Sequence, residues 1–188
     1  MKKKELLYVT ILLLSSSIVF NSCSKDNDKN LVNVIEEEEK QPIEISWQTK
    51  AAMPSARYCG DAVVCNEKIY HIGGRSVSSI QKSNFEYDPA TDTWVSKQGL
   101  PTNRFKLSTA VIDDKIYIIG GSVDGIMSSR VDVYYPETDT WEDSTAAMEL
   151  PKPILFAGVV TINNTIFVSG GCDSKWNAYS SNYQGIIE

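Results

Sequence analysis

The side chains able to do chemistry are few in this 188-residue chain, and they are scattered. The single histidine, His71, stands in an apolar run, Ile69-Tyr70-His71-Ile72. A general base or a metal ligand works with partners at set spacings. None adjoins His71, which is read as a core residue. Asp61, Asp124 and Asp173 offer carboxylates for an acid/base pair across a central pocket, but no spacing singles them out. There is no Cys/His cluster of zinc type and no phosphate-binding loop, so no metal or cofactor is implied. One segment is denser: Asp173, Lys175, Trp176, Asn177 and Tyr179. An aromatic face flanked by amides and charges can stack a sugar ring and hydrogen-bond its hydroxyls. The competing role for Trp176 is to pack back onto its own sheet.

The elements that carry these residues are repeated. Trp47, Trp94 and Trp141 are spaced 47 residues apart. Gly73-Gly74 recurs as Gly120-Gly121 and again as Gly170-Gly171. Tyr87-Asp88-Pro89-Ala90-Thr91-Asp92-Thr93-Trp94 recurs as Tyr134-Tyr135-Pro136-Glu137-Thr138-Asp139-Thr140-Trp141, and Arg57 as Arg104. Self-similarity at such a period marks a repeat architecture. Each unit reads as four short strands. The first is Ala62-Val63-Val64-Cys65, Ala110-Val111-Ile112 or Val159-Val160-Thr161-Ile162. A two-residue turn of Asn66-Glu67, Asp113-Asp114 or Asn163-Asn164 follows, from residue types that tolerate φ > 0. The second strand, Ile69 to Ile72, Ile116 to Ile119 or Ile166 to Val168, is apolar on both faces. Such a strand is covered on both sides. The third ends at Tyr87 or Tyr134, and the fourth begins at the tryptophan.

An apolar strand running into Gly-Gly, then a tyrosine, then a tryptophan seven positions later, resembles the kelch motif of β-propellers. The resemblance covers residues 46–188. It implies an all-β, kelch-type propeller of about three four-stranded antiparallel blades. Gly73, Gly74, Gly120, Gly121, Gly170, Gly171, Tyr87, Trp94, Tyr134 and Trp141 are then structural residues, as are Arg57 and Arg104. The third unit departs from the pattern, since Ile154 stands where the arginine belongs. Trp47 reads as a lone fourth strand ahead of two full units. The third unit stops at Glu188 before its Tyr-to-Trp segment. A ring has 4–8 blades, so an incomplete propeller is expected. It would be part of a longer protein or would pair with a second copy, with self-association through its open blades.

The N-terminus reads as an export signal. Lys2, Lys3 and Lys4 precede an apolar run from Leu6 to Phe20, short for a membrane span. Phe20-Asn21-Ser22-Cys23 resembles the lipobox of bacterial lipoproteins. That implies cleavage after residue 22, lipidation of Cys23 and an outer-membrane lipoprotein of the bacterial cell envelope, periplasmic or surface-facing. Residues 23–43 read as a flexible acidic tether and 44–188 as the partial propeller. The net charge of −6 becomes −8 once three lysines and one glutamate leave with the signal. No basic patch for nucleic acid is present. Export places Cys59, Cys65 and Cys172 in an oxidising compartment. Cys59 and Cys65, six apart on one strand, would be about 20 Å apart, beyond disulfide reach. Cys172 could pair with either, but buried free thiols are expected.

In an up-and-down blade, the connections from strand 2 to 3 and from strand 4 to the next blade share one face. Here they vary, and variable loops on a rigid scaffold collect binding residues. Arg75, Asp124, Asp173, Lys175, Trp176, Asn177 and Tyr179 are the candidate ligand residues on that face. One histidine excludes the copper chemistry that a likeness to galactose oxidase would imply. The expectation is a lipid-anchored binding module for a protein or glycan ligand rather than an enzyme. The alternative is part of a carbohydrate-active enzyme resembling the kelch-fold sialic acid (N-acetylneuraminate) epimerases.

Overall fold

The hairpin that opens each repeat is set by its turn. Asn66 and Glu67 take φ of 50° and 60°, Asp113 and Asp114 take 49° and 58°, and Asn163 takes 51°. Paired positive φ values give the turn a twist that matches the strands it joins. In this computed structural model, residues 42–187 are described. The segment read as an export signal, Cys23 and most of the expected tether lie outside them. The first repeat forms β1 (Asp61–Cys65), β2 (Lys68–Ile72), β3 (Asn84–Asp88) and β4 (Thr93–Lys97). The second forms β5 (Arg104–Phe105), β6 (Ser108–Ile112), β7 (Lys115–Ile119), β8 (Ser122–Val123), β9 (Ile126–Met127), β10 (Val131–Tyr135) and β11 (Thr140–Glu142). The third forms β12 (Gly158–Ile162), β13 (Thr165–Ser169) and β14 (Asn182–Ile186).

The sheets are β1-β2-β3-β4, β6-β7-β10-β11 and β12-β13-β14, antiparallel throughout, with β5-β8-β9 as a small fourth sheet. The described residues contain no helix. They form three blades of a kelch-type propeller, two four-stranded and the third three-stranded. Two features differ from the sequence expectation. Trp47 is not in a strand, since among the described residues no third strand lies beside it; it is 89% exposed. And Gly185 lies opposite Ile166, the place that Tyr87 and Tyr134 take opposite Ile69 and Ile116.

Two cores hold the blades together, each lying between sheets. Cys65, Tyr70 and Ile72 of blade 1 pack with Leu107, Ile116, Ile118 and Tyr134 of blade 2. The other face of blade 2 presents Ala110, Ile112, Tyr117, Ile119, Val131 and Val133 to Ile154, Ile166 and Val168 of blade 3. Alternation along β7 therefore sends Ile116 and Ile118 one way and Tyr117 and Ile119 the other. Of the three second strands, β2, β7 and β13, β7 alone is covered on both faces. Its counterparts β2 and β13 each have one open side, since they belong to the end blades.

Two backbone devices join neighbouring blades. The first is the Gly-Gly pair. Gly74 N donates to Arg104 O at 2.8 Å, and Gly121 N donates to Ile154 O at 2.8 Å. A Cβ on Gly73 would stand 2.5 Å from Arg104 O, and one on Gly120 would stand 2.8 Å from Ile154 O. No side chain fits there, and φ is positive at both. The second device is a clamp. Asp139 Oδ1 accepts Tyr134 OH at 2.7 Å and Gln98 N at 2.7 Å, while Trp141 Nε1 donates to Gln98 O at 2.9 Å. Gln98 belongs to the connection leaving blade 1. One repeat earlier, Asp92, Tyr87 and Trp94 grip Ala51 in the same way. The tyrosine and tryptophan rings of each clamp are in contact, at centroid distances of 4.9 and 4.8 Å.

The arginine position has a different chemistry in each blade. Arg104 is fully buried, donates to Ile118 O at 3.0 Å and pairs with fully buried Asp132. Asp132 also accepts from Arg130 and from Ser144 N, both at 2.7 Å. In blade 1 the residue equivalent to Asp132 is Phe85, and Arg57 lies over its ring at 5.0 Å. In blade 3, Ile154 takes the arginine's place and Tyr183 the aspartate's, and both join the apolar core. Removing one member of a buried pair leaves the other charge unpaired. Asp132→Ala is expected to cost about 3–5 kcal/mol, and Arg57→Ala less than about 1 kcal/mol, in urea unfolding.

His71 is half-buried, with Nδ1 buried and unpartnered. Burial, with the Arg57 charge second, pushes its imidazole below the ordinary value of 6.5. The unfolded chain then binds a proton that the folded chain refuses. Stability is expected to fall as pH drops below about 6.5. His71→Ile, the residue found at position 118, should remove that part of the slope in unfolding midpoints measured across the window.

Candidate functional site

One face of the blades carries the connections that vary between repeats. After each Gly-Gly the chain makes a short hairpin that pairs with the residues leading into the same blade. In blade 1, Arg75 bridges Tyr58 and Ile80. In blade 2 the counterpart is the β5-β8-β9 sheet, turned by Asp124 and Gly125 at φ 47° and 92°. In blade 3, Cys172 bridges Leu155 and Ala178. The next residue of each lead-in is left-handed: Cys59 at φ 55°, Lys106 at 57° and Phe156 at 53°. Lys106 N donates to Cys59 O at 2.7 Å, and Phe156 N to Lys106 O at 3.0 Å. These three positions run from blade to blade along one hydrogen-bonded line.

Cations and rings alternate along that line. Arg75 lies 5.9 Å from the Phe105 ring centre. Lys106 Nζ lies 5.1 Å from Phe105, 5.5 Å from Phe156 and 4.9 Å from Trp176. Phe156 and Trp176 are stacked, with centroids 5.8 Å apart and planes 17° apart. Trp176 is 67% exposed. Its loop is tied by Asp173, whose carboxylate accepts Lys175 N, Asn177 N and Asn177 Nδ2 at 2.8–2.9 Å. Those bonds hold the Asp173 carboxyl below the usual range. The aromatic surface is thus set before any ligand arrives, which lowers the ordering cost of binding.

The sequence-derived candidates separate into two groups. Trp176 meets the lysine and phenylalanine platform, with Asp173, Lys175 and Asn177 forming its loop. Arg75 reaches the same line through Phe105. Asp124 is exposed on the blade 2 hairpin and is engaged by Asn103 Nδ2 at 2.8 Å. Tyr179 packs against the core between blades 2 and 3, with Lys152 Nζ 3.4 Å from its ring centre. Phe105, Lys106 and Phe156 were not legible as site residues. Their signal was positional: each lies one or two places after the arginine position of its repeat. The three aspartates form no acid/base pair, because each carboxylate has its own local partner. Asp61 accepts Thr109 N and Oγ1 from blade 2, both at 2.8 Å. All three described cysteines are free thiols. Cys59 precedes β1 instead of sharing it and is half-exposed. Cys65 is buried, and burial, aided by Asp114, pushes its thiol up to about 11. That makes it inert as a nucleophile at neutral pH.

A second concavity, of about 810 Å³, lies between blades 2 and 3. Val133, Tyr135 and Leu150 line it from one side, and Ile166, Tyr183 and Gly185 from the other. Between blades 1 and 2, Tyr134 and Trp141 pack at the corresponding seam. With Gly185 at the tyrosine position, blade 3 has no ring to place there.

The sequence matches the KLHDC2/KLHL20/DRC7 Kelch-repeats domain over residues 15–183. No curated protein matches it. Among solved structures it is similar to YjhT, with a TM-score of 0.67 and 17% identity over 75% of this chain and 53% of that one. The chain therefore spans about half the length of YjhT, and at this identity the likeness concerns the fold alone. Family match, blade register and structural likeness agree: the chain belongs to the kelch-repeat family.

Proposed function

We propose that this chain is an exported, lipid-anchored binding module that takes a glycan on the Lys106, Phe156 and Trp176 platform. The exposed, stacked pair of rings carries the reading. A large aromatic surface left open to water is an unfavourable arrangement unless something covers it. A sugar ring has an apolar face to lay on such a surface and hydroxyls for the polar groups around it. Lys106, Lys175 and Asn177 supply donors at the rim. Anchoring at Cys23 would hold this face at a membrane surface, since several acyl chains on one residue bind stably where a single chain does not.

Glycan-array screening of the full chain, followed by titration with the best hit, tests the platform. Trp176→Ala is expected to weaken binding at least about tenfold, because aromatic anchors of this kind are worth about 2 kcal/mol or more. Lys106→Gln, which leaves the backbone as it is, should weaken it less. Unchanged affinity in Trp176→Ala would overturn the assignment. The anchor is tested separately by fractionation and mass spectrometry. Wild-type chain should sit in the membrane fraction with lipid on Cys23, and Cys23→Ser should be released.

A further inference from the structure

Arg75, Lys106 and Lys175 come from three successive blades and stand on the face that carries the aromatic platform. Ion pairs among the described residues engage Lys68, Lys97, Arg104 and Arg130. Arg75, Lys106 and Lys175 enter none of them. Arg75 and Lys106 share a ring, since the guanidinium carbon lies 5.9 Å and the ammonium 5.1 Å from the centre of Phe105. Arg75 Nε is buried and has no hydrogen-bond partner among the described residues. The chain as a whole is acidic, with a net charge of −6, so carboxylates are not scarce. Like charges held near one another without a counter-ion repel, and they raise the potential of the surface between them.

The acids of the same hairpins do not neutralise this row. Asp124 is taken by Asn103 Nδ2 at 2.8 Å. Asp173 accepts Lys175 N, Asn177 N and Asn177 Nδ2, all within its own loop. Lys175 thus gives Asp173 its backbone N–H and forms no ion pair with it. The row is also fixed in order. Lys106 N donates to Cys59 O and Phe156 N to Lys106 O, which sets the step from blade to blade. Ser174 N donates to Met127 Sδ at 3.0 Å, which ties the Lys175 loop to the blade 2 hairpin.

We propose that the glycan of this face is an acidic polysaccharide, a chain with carboxylate or sulfate groups on successive sugars, laid across the three blades. The proposal rests on the platform reading above, in which one sugar stacks on Phe156 and Trp176. Lys106 and Lys175 meet the anionic groups beside that sugar, and Arg75 meets one farther along. Arg75 belongs to blade 1 and the stacked rings to blade 3, so a ligand that engages both extends over blade 2. A row of charges at a fixed step selects a ligand that is itself a repeat. Each further sugar then binds at a high effective concentration.

Calorimetric titration of the full chain tests this. The ligands are a galacturonate disaccharide and hexasaccharide, a sulfated hexasaccharide from heparin, a neutral hexasaccharide of glucose, and poly-glutamate. An acidic hexasaccharide should bind at least about tenfold tighter than the neutral one and than the acidic disaccharide. Added salt should narrow the gap, because exposed charges are screened. Comparison of the two acidic hexasaccharides identifies the anionic group. Arg75→Gln should remove the advantage of hexasaccharide over disaccharide and leave the disaccharide affinity as it was. Lys175→Gln, at an exposed residue, should weaken both acidic lengths with no change in unfolding midpoint. Equal affinity for the neutral hexasaccharide, still weakened by Trp176→Ala, would overturn this proposal and leave the platform standing. No binding of any glycan, or poly-glutamate binding that survives Trp176→Ala, would overturn both.

Discussion

Everything in this molecule depends on backbones of neighbouring blades coming closer than side chains allow. Gly73 and Gly120 lie against the carbonyl of the residue that begins the next blade, and Gly74 and Gly121 bond to it. That contact sets the distance at which one sheet stands from the next. The apolar cores between blades, with Tyr70 and Ile116 in one seam and Tyr117 and Ile166 in the other, can close only at this spacing. The clamp at the outer edge works on the same scale. Asp139 and Trp141 hold Gln98 by its backbone, so the outgoing connection is fixed whatever its side chains are. A kelch repeat is thus less a unit of structure than half of two seams, which is why stability in such arrays comes from neighbours.

The seams also explain what varies freely. Where Arg104 meets Asp132, Arg57 meets a phenylalanine ring, and Ile154 meets tyrosine. The chemistry differs at Arg104 and Ile154 although the backbone contact beside them, from Gly74 N and Gly121 N, is the same. A buried ion pair often contributes little net stability over apolar packing of similar volume, so exchange between these solutions need not weaken the array.

Much of this was legible in the residues. The 47-residue period placed ten of the fourteen strands through Gly-Gly, Tyr and Trp, leaving out β5, β8, β9 and β14, and the turn residues marked the hairpins. The motif tyrosines, tryptophans and glycines were read as structural residues. What stayed hidden depended on contacts across blades. Trp47 carries the sequence mark of a fourth strand, but a strand exists only beside a partner. Gly185 gave no sign that it replaces a tyrosine, because one extra residue in the third connection shifts the count. The platform was half visible: Trp176 and Asp173 stood out by composition, whereas Lys106 and Phe156 come near Trp176 only through the stacking of blades.

The three left-handed residues, Cys59, Lys106 and Phe156, have a consequence for how such a surface changes over time. Each has a left-handed backbone, and its peptide group, not its side chain, bonds to a neighbouring blade. The side chains are in effect letters set in a fixed frame. Cysteine, lysine and phenylalanine have already been written into it without disturbing the line of carbonyls beneath. A chain with this frame can acquire a new surface chemistry by single substitutions, while its architecture stays under separate control.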